Sequence, residues 1–588
     1  MRGISCFCRV VTSLVSRCYA LSSSMRAQSQ PRYTQDFPVG PPGLWLGRPY
    51  AASSAGLEVA RIGDSEPRVN WTFAGSTEAY PRDEPFPRTI LTPIQLVAVV
   101  PGGLGLHLPQ EAADPARVRL SDMTHTSTQA GPEVLFACRA GQRADGHAFS
   151  AQAVAAGSPA LLCERVLPVS VPQILVCSVA QAMGPAAAAI HGRPSHDLAL
   201  IGVTGTSGKT TTTYLAESAL RAAGHVTGLI GTVEMRVAGQ PTPAVHTTPE
   251  ASDLQRTLRR MVSSGVTGAA MEVSSHGLAL GRVRGTRFAA AVFTNLGHDH
   301  LDFHRDLEEY FAAKATLFSP EFTSIGVVNI DDPWGRRLAD SAPVEVRTVG
   351  LTSTGADCAV TALNAGPEGS ICTARYAGRQ LRLRTHLPGL FNVTNALCAL
   401  VAAHAVGVDL DAAVAGIEML QGVPGRMERV SAGQPFTVLV DYAHKPDALR
   451  NVLTAARDLV GGPRAGQVIV VVGCGGDRDR MKRSVMGRAA AELADFTVLT
   501  SDNPRTEDPL SIIDAMVHGA REVPGACWTV EVDRREAIAC ALRQARAGDV
   551  VVIAGKGHEP YQEVGDTRLE FDDRLVVREL LTQAEARG

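Results

Sequence analysis

At 588 residues the chain is too long for a single hydrophobic core, and three or four domains are the natural division. Its 45% apolar and 20% charged residues and formal net charge of -3 are those of an ordinary globular protein; no cationic excess marks a polyanion-binding surface, so nucleic acid is not an expected partner. No apolar run approaches the ~20 residues that cross a bilayer. The twelve cysteines form no metal-type pairs, and Cys177 and Cys398 fall in apolar stretches read as buried strands, which predicts reduced thiols in a cytoplasmic protein.

The first 34 residues carry arginines and serines but no acid, Asp36 being the first. Transit peptides share that composition, as do leaders without a fold of their own, and the second reading is adopted. Residues 35–85 are rich in Pro, Gly and Ser without periodicity, so 1–88 are assigned to a disordered extension and linker. From Thr89 the pattern turns globular. Residues 89–194 offer strands over 134–137, 160–163 and 173–176 and a helix over 149–156, a small α/β domain. Residues 195–423 place strands at 198–203, 268–273, 289–294 and 325–329 between helical patterns, which predicts a parallel sheet covered on both faces. An antiparallel excursion over 351–387 and a helix after Asn392 complete this region. Residues 424–588 repeat the rhythm, with strands at 437–440, 468–472, 497–500 and 550–553. Each runs into a polar or glycine-rich loop: 441–444, 473–479, 501–505 and 554–559. Loops at the carboxyl ends of parallel strands share one edge, so these four form one ligand surface.

The most informative stretch is Gly202-Val203-Thr204-Gly205-Thr206-Ser207-Gly208-Lys209-Thr210-Thr211, between a strand and a helix. Glycines there let backbone N–H groups approach phosphates, Lys209 neutralises them and the Thr210 hydroxyl suits Mg²⁺. Val203 replaces the first glycine of the usual nucleotide loop, leaving the shorter form Gly205–Thr211. The chain is therefore expected to bind a nucleoside triphosphate. Glu272, at a strand end, is placed to serve Mg²⁺, although strand-end acids are commonly structural. His298, Asp299, His300, Asp302 and His304 follow another strand and suggest metal or phosphate chemistry without the spacing of a zinc site; capping by the aspartates is the alternative. Lys314 lies in a helical stretch among small and apolar residues, and spacing does not decide whether it is exposed.

These motifs together resemble the Mur ligases, and within them the group that adds the third residue of the peptidoglycan stem peptide. The resemblance covers residues 89–588 and rests on 205–211, 271–277, 294–304, 441–449, 473–479, 502–505 and 555–559. It implies an N-terminal uridine-nucleotide domain (89–194), a central ATPase (195–423) and a C-terminal Rossmann-like amino-acid domain (424–588). It further implies that ATP activates the D-glutamyl carboxylate of UDP-MurNAc-L-Ala-D-Glu as an acyl phosphate, which the incoming amine attacks. By the same resemblance Gly205, Thr206, Ser207, Gly208, Lys209, Thr210, Thr211, Asn295, Arg426 and Asp441 face ATP. Thr210 and Glu272 serve one Mg²⁺, and Lys314, as its carbamate, serves a second near His300. Ser127, Thr247, Thr248, Ser274 and Arg282 hold the muramoyl peptide.

Asp502-Asn503-Pro504-Arg505 matches the form associated with meso-diaminopimelate. That amino acid differs from lysine by a distal carboxylate, which Arg505 can grip with its fork. Arg478, Gly555 and Glu559 match the remaining positions, Glu559 suiting an ammonium group. A monomer is expected. The chain departs from the family pattern at Thr126-Ser127-Thr128, where Asp-Ser-Arg is usual, at Leu280 for Gln and at His246 for Asn. Those departures admit a paralogous amide ligase acting on a related muramyl peptide. A folylpolyglutamate synthetase-like ligase is disfavoured by the 502–505 motif, and a non-catalytic scaffold by the retained Lys209, Glu272, His300 and Lys314.

Overall fold

A computed structural model describes residues 90–141, 144–366, 368–460 and 466–585. The extension and linker expected over 1–88 lie outside the described residues. Three sheets organise the rest, joined by one short hairpin. In the first, Gly103–His107, Gln173–Val176, Leu161–Cys163, Val134–Ala137 and Asp122–Thr124 lie side by side, parallel apart from the first. Helix Val179–Ile190, capped by Ser178, packs its alanine-rich face into the same core.

The central sheet has eleven strands. Its middle is parallel: Glu345–Gly350, Ile325–Asn329, Ala290–Phe293, Ala199–Thr204, Gly268–Glu272 and Thr227–Ile230, in that spatial order. Ala199–Thr204 is buried at all six positions, so it needs apolar residues on both faces. Ile201 and Val203 point into a layer formed by helices Lys209–Ala222, Leu390–Ala405 and Leu410–Met419. Leu200 points the other way, into a layer with Leu254, Leu258, Phe293 and Tyr310. The expectation of a parallel sheet covered on both faces holds for this middle part only. Cys358–Gly366, Gly369–Tyr376 and Arg379–Thr385 extend one edge as an antiparallel meander, as expected over 351–387. Glu234–Val237 and Gln240–Pro243 extend the other edge antiparallel and were not foreseen, although Val233, Met235 and Val237 alternate with Glu234 and Arg236.

The third sheet orders Glu428–Arg429, Thr437–Asp441, Val550–Ala554, Val468–Cys474, Phe496–Ser501 and Trp528–Val530, all parallel except the first. Apolar layers cover both of its faces. Beyond it lies an unforeseen hairpin, Tyr561–Val564 with Thr567–Glu570. Its Gly565-Asp566 turn is the sequence signal that could have found it. The cysteine reading needs correction: Cys177 is exposed beyond its strand, and Cys398 is buried in a helix rather than a strand. All nine cysteines among the described residues are free thiols. No helix among the described residues is long and apolar enough to cross a membrane.

Candidate active site

Strand Ala199–Thr204 ends at Gly205, and helix Lys209–Ala222 starts after Gly208. Both glycines have positive φ, 150° and 84°. A Cβ would stand 1.9 Å from Thr294 Oγ1 at Gly205 and 2.5 Å from Asn395 Oδ1 at Gly208, so neither position accepts a side chain. The next strand end splints the loop. Asn295 Oδ1 accepts the Ser207 N–H at 2.9 Å, and the Thr294 hydroxyl donates to the Ser207 carbonyl at 2.6 Å. Lys209 donates back to the Gly205 and Thr206 carbonyls at 2.8 and 2.9 Å. Burial lowers its pKa to about 8, against the opposing charge of Glu272. A rigid loop opening a helix N-terminus, with a lysine at its base, is an anion cradle.

Glu272 ends its strand beside this loop and is held by Thr232, whose N–H and hydroxyl donate to the two carboxylate oxygens at 2.7 and 3.1 Å. Lys314 is buried, 1% exposed, on helix Leu307–Ala315. Its amine donates to the Gly205 carbonyl at 2.7 Å and lies 4.4 Å from the Tyr310 ring centroid. Burial, aided by the charge of Lys209, pushes its pKa well below that of an ordinary lysine. The cluster over 298–304 does not close around a single point. Asp299 pairs with Lys445, His300 stacks edge-on against His276 with centroids 4.7 Å apart, and His304 is buried against Tyr310. Among the described residues no group of three His, Cys, Asp or Glu side chains could hold a metal ion. Burial and the Lys445 charge take the His300 pKa down to about 3, leaving a neutral ring.

A cavity of about 530 Å³ gathers Thr206 to Thr211, Thr247, Thr248, Glu272, Ser274, Arg282, Asn295, His300, Lys314, Arg426 and Asp441 into one lining. Gly205, next to Thr206 in the chain, is not part of the lining. Arg282 donates to the Thr248 carbonyl at 3.0 Å and pairs with Glu250 at 2.7 Å. Glu250 also pairs with Arg139 of the first sheet's loops at 2.5 Å. Ser127 opens a short 3-10 turn in that region and does not line the cavity.

The cavity is completed from the C-terminal region, Arg426 and Asp441 among its residues. Arg426 donates to the Thr210 hydroxyl at 3.0 Å and stacks over Tyr442 at 4.7 Å. Asp441 accepts the Met427 and Ala443 N–H groups at 2.7 and 2.8 Å, and burial raises its pKa. Tyr442 carries the cavity to the strand-end loops by donating to Glu559 at 3.2 Å. Glu559 accepts from Asn503 at 2.9 Å, and the fully buried Lys556 donates to Asn503 Oδ1 at 3.0 Å. Asp502, Asn503 and Pro504 are buried, Arg505 is half-buried, and Arg478 is exposed at the rim. Gly555 follows strand Val550–Ala554, and its N–H donates to the Asp441 carbonyl at 3.1 Å. The four loops therefore share one sheet edge, adjoining the cavity through Tyr442.

Several residues of this site were not singled out from the sequence. Thr232 sits in an unremarkable loop and gave no signal. Lys445 follows the loop 441–444 directly and could have been included with it. Asn392 and Asn395, hydrogen-bonded to each other at 3.0 Å, line the cavity from an otherwise apolar helix; their spacing of three was the available signal.

Comparison with known proteins agrees with this arrangement. Residues 203–403 match the Mur ligase middle domain and residues 425–557 match the Mur ligase, glutamate ligase domain. The chain is 49% identical over 477 residues to a UDP-N-acetylmuramoyl-L-alanyl-D-glutamate--2,6-diaminopimelate ligase of Gloeobacter violaceus, covering 80% of this chain and 96% of that one. It is 45% identical over 500 residues to the protein of the same name from Streptomyces avermitilis, covering 83% and 97%. A solved structure of a ligase of that name superposes with a TM-score of 0.61 at 35% identity, over 80% of this chain and 97% of the other. Alignment with these ligases over nearly their whole length, on the same α/β three-sheet fold, makes the chain a member of the Mur ligase family.

Proposed function

We propose that this chain joins meso-2,6-diaminopimelate to UDP-N-acetylmuramoyl-L-alanyl-D-glutamate at the expense of ATP, as a monomeric cytoplasmic enzyme of peptidoglycan precursor synthesis. The observation that carries this reading is the adjacency of a phosphate cradle at 205–211 to an edge bearing Arg505, Asn503 and Glu559, with Tyr442 joining the two. Residues 89–194, with Ser127, would receive the uridine nucleotide, 195–423 the ATP and 424–588 the amino acid.

The chemistry follows from the side chains. The D-glutamyl carboxylate attacks the γ-phosphorus, an O–P bond forms, and ADP departs. The amine then attacks the acyl carbon, a C–N bond forms, phosphate departs and the amine loses a proton. Two anions must meet in the first step, so Lys209 and the N–H groups of the loop screen the phosphates while Thr247, Thr248, Ser274 and Arg282 hold the peptide. Asn295 keeps the loop in register. In the second step Glu559 would hold an ammonium group of diaminopimelate and Arg505 its distal carboxylate, with Arg478, Asp502, Asn503, Pro504 and Gly555 shaping the site.

The donors present fit Mg²⁺, a hard cation that takes few protein ligands beside phosphate and water. Thr210 and Glu272 would hold one ion and His300 with the Lys314 carbamate another, supplying charge neutralisation for the phosphate oxygens. A buried, neutral Lys314 amine is the form that adds CO₂, losing one proton to give a carbamate. The test is phosphate release coupled to ligation, with UDP-MurNAc-L-Ala-D-Glu and ATP, offering meso-diaminopimelate or L-lysine. Release with diaminopimelate and little with lysine is expected. Preference for lysine, or release with neither, overturns the proposal.

A further inference from the structure

The hairpin Tyr561–Glu570 is threaded into the loop that bears Arg505. Gln562 donates to the Asp502 carbonyl at 2.6 Å, and the Glu563 N–H donates to Asn503 Oδ1 at 3.0 Å. The Arg505 N–H donates to the Glu563 carbonyl at 3.0 Å, and the Gly565 N–H returns to the Arg505 carbonyl at 2.8 Å. These bonds hold Arg505 at a φ of 53°, a left-handed conformation uncommon for a residue with a Cβ. The side chain is fixed as well. Its Nε pairs with Glu563 Oε2 at 2.9 Å, and Nη1 donates to the Gly476 carbonyl at 2.9 Å. Glu563 Oε1 is in turn gripped by Arg568, Nη2 at 2.9 Å and Nε at 3.0 Å, and Arg568 stacks over Tyr561 at 4.4 Å. With Arg505 and Glu563 side chains only 23% and 19% exposed, this is not one of the solvent-screened surface pairs that contribute little.

A guanidinium has five N–H donors in a rigid plane. Glu563 stands against Nε as the ion partner and Gly476 takes one Nη1–H, which leaves Nη2 and the other Nη1 hydrogen without a partner among the described residues. That remaining edge is the one that receives a carboxylate end-on. We infer that Glu563 is a positioning residue: it holds the Arg505 guanidinium from its Nε side so that its Nη edge is presented, already oriented, to the distal carboxylate of the amino-acid substrate. The inference deepens the reading of the preceding section and rests on it. A fixed arginine binds its anion without first losing rotamer freedom, so removing Glu563 weakens binding of that carboxylate and nothing else.

The test compares Glu563→Ala and Glu563→Gln with the wild type in the full-length enzyme. The Gln side chain keeps the size of Glu563 and a carbonyl oxygen facing Nε, without the charge. In Glu563→Ala the KM for meso-diaminopimelate is expected to rise about ten-fold or more, while kcat, the KM for ATP and the residual kcat/KM for L-lysine stay within about two-fold. Glu563→Gln is expected to recover most of the loss. An unchanged diaminopimelate KM overturns the inference, and a lowered one makes Glu563 a competitor for Arg505 rather than its support. Parallel losses for ATP and lysine would assign the hairpin a merely structural role and also overturn it. If the wild type itself fails to use diaminopimelate, the functional reading falls. The orientation is then judged alone by the ¹⁵N signal of Arg505 Nε, which is expected to be exchange-protected in the ligand-free wild type and unprotected in Glu563→Ala; equal protection in both refutes it.

Discussion

Asp573→Ala is expected to loosen the proposed amino-acid site from beneath. Arg534 and Asp573 are both 0% exposed at their side chains and form a two-bond pair, Nε to Oδ1 and Nη2 to Oδ2, each 2.8 Å. Arg534 also donates to the Ser501 and Ala554 carbonyls at 3.3 and 3.0 Å. Those carbonyls end the two strands that lead into 502–505 and 555–559. Removing the carboxylate leaves a guanidinium in the interior without its counter-charge, which costs about 3–5 kcal/mol. That is a large share of the roughly 5–15 kcal/mol that holds a domain together. Amide exchange in peptides covering 496–501 and 550–554 should therefore accelerate about 100-fold or more, since each 1.4 kcal/mol is a factor of about ten. Replacing the pair by Arg534→Met and Asp573→Leu together removes both charges and should restore most of the protection. It does not restore the tether to Ser501 and Ala554, so the diaminopimelate KM should remain raised. Exchange within ten-fold of wild type in Asp573→Ala, or a double variant less stable than the single one, would refute the reasoning.

Lys314→Ala should abolish turnover, with partial recovery on adding a short carboxylic acid that takes the place of the carbamate; full activity without rescue would remove Lys314 from the mechanism. Arg505→Ala should lower kcat/KM for diaminopimelate by about 10–150-fold, the equivalent of the 1.5–3 kcal/mol of a charge-assisted bond, and leave nucleotide binding by titration unchanged. Burial and the nearby Asp502 charge raise the Glu559 pKa, against Lys556. The carboxylate that would grip an ammonium group is thus fully present above that raised pKa and is lost as pH falls through it. The diaminopimelate KM should accordingly rise on acidification at a higher pH than an ordinary glutamate would give, and Glu559→Gln should flatten that limb; an unchanged profile in the variant would exclude Glu559.

What the sequence disclosed was local. A strand, a glycine turn and a helix within ten residues dictate the cradle at 205–211, and the four apolar strands of the last region announce their loops by direct succession. What it concealed depended on distance along the chain. Lys314 could not be placed because its partner, the Gly205 carbonyl, is 109 residues away. The charges missing at Thr126 and Thr128 left that region looking neutral, yet the fold brings Arg139 to Glu250 and through it to Arg282. The hairpin that supports Arg505 escaped notice because its outer strand, Thr567–Glu570, is exposed at every position and so carries no apolar alternation.

The electrostatics of the cavity single out Lys314 among its cations. Lys209, Lys314, Lys445, Arg282 and Arg426 line it, against Glu272 and Asp441, with Asp299 reached through Lys445. Arginines do not surrender their protons, so the shifts fall on Lys209 and Lys314, through burial first and neighbouring positive charge after it. Lys209 keeps two carbonyl partners and a pKa lowered to about 8, whereas Lys314 keeps one carbonyl partner and is held well below an ordinary lysine by burial. The group most readily left as a free amine is therefore the one deepest beside the phosphate loop. Carbamylation there would turn a suppressed cation into an anion beside Lys209 and Lys445, reducing the positive excess of the cavity beside the proposed phosphate site.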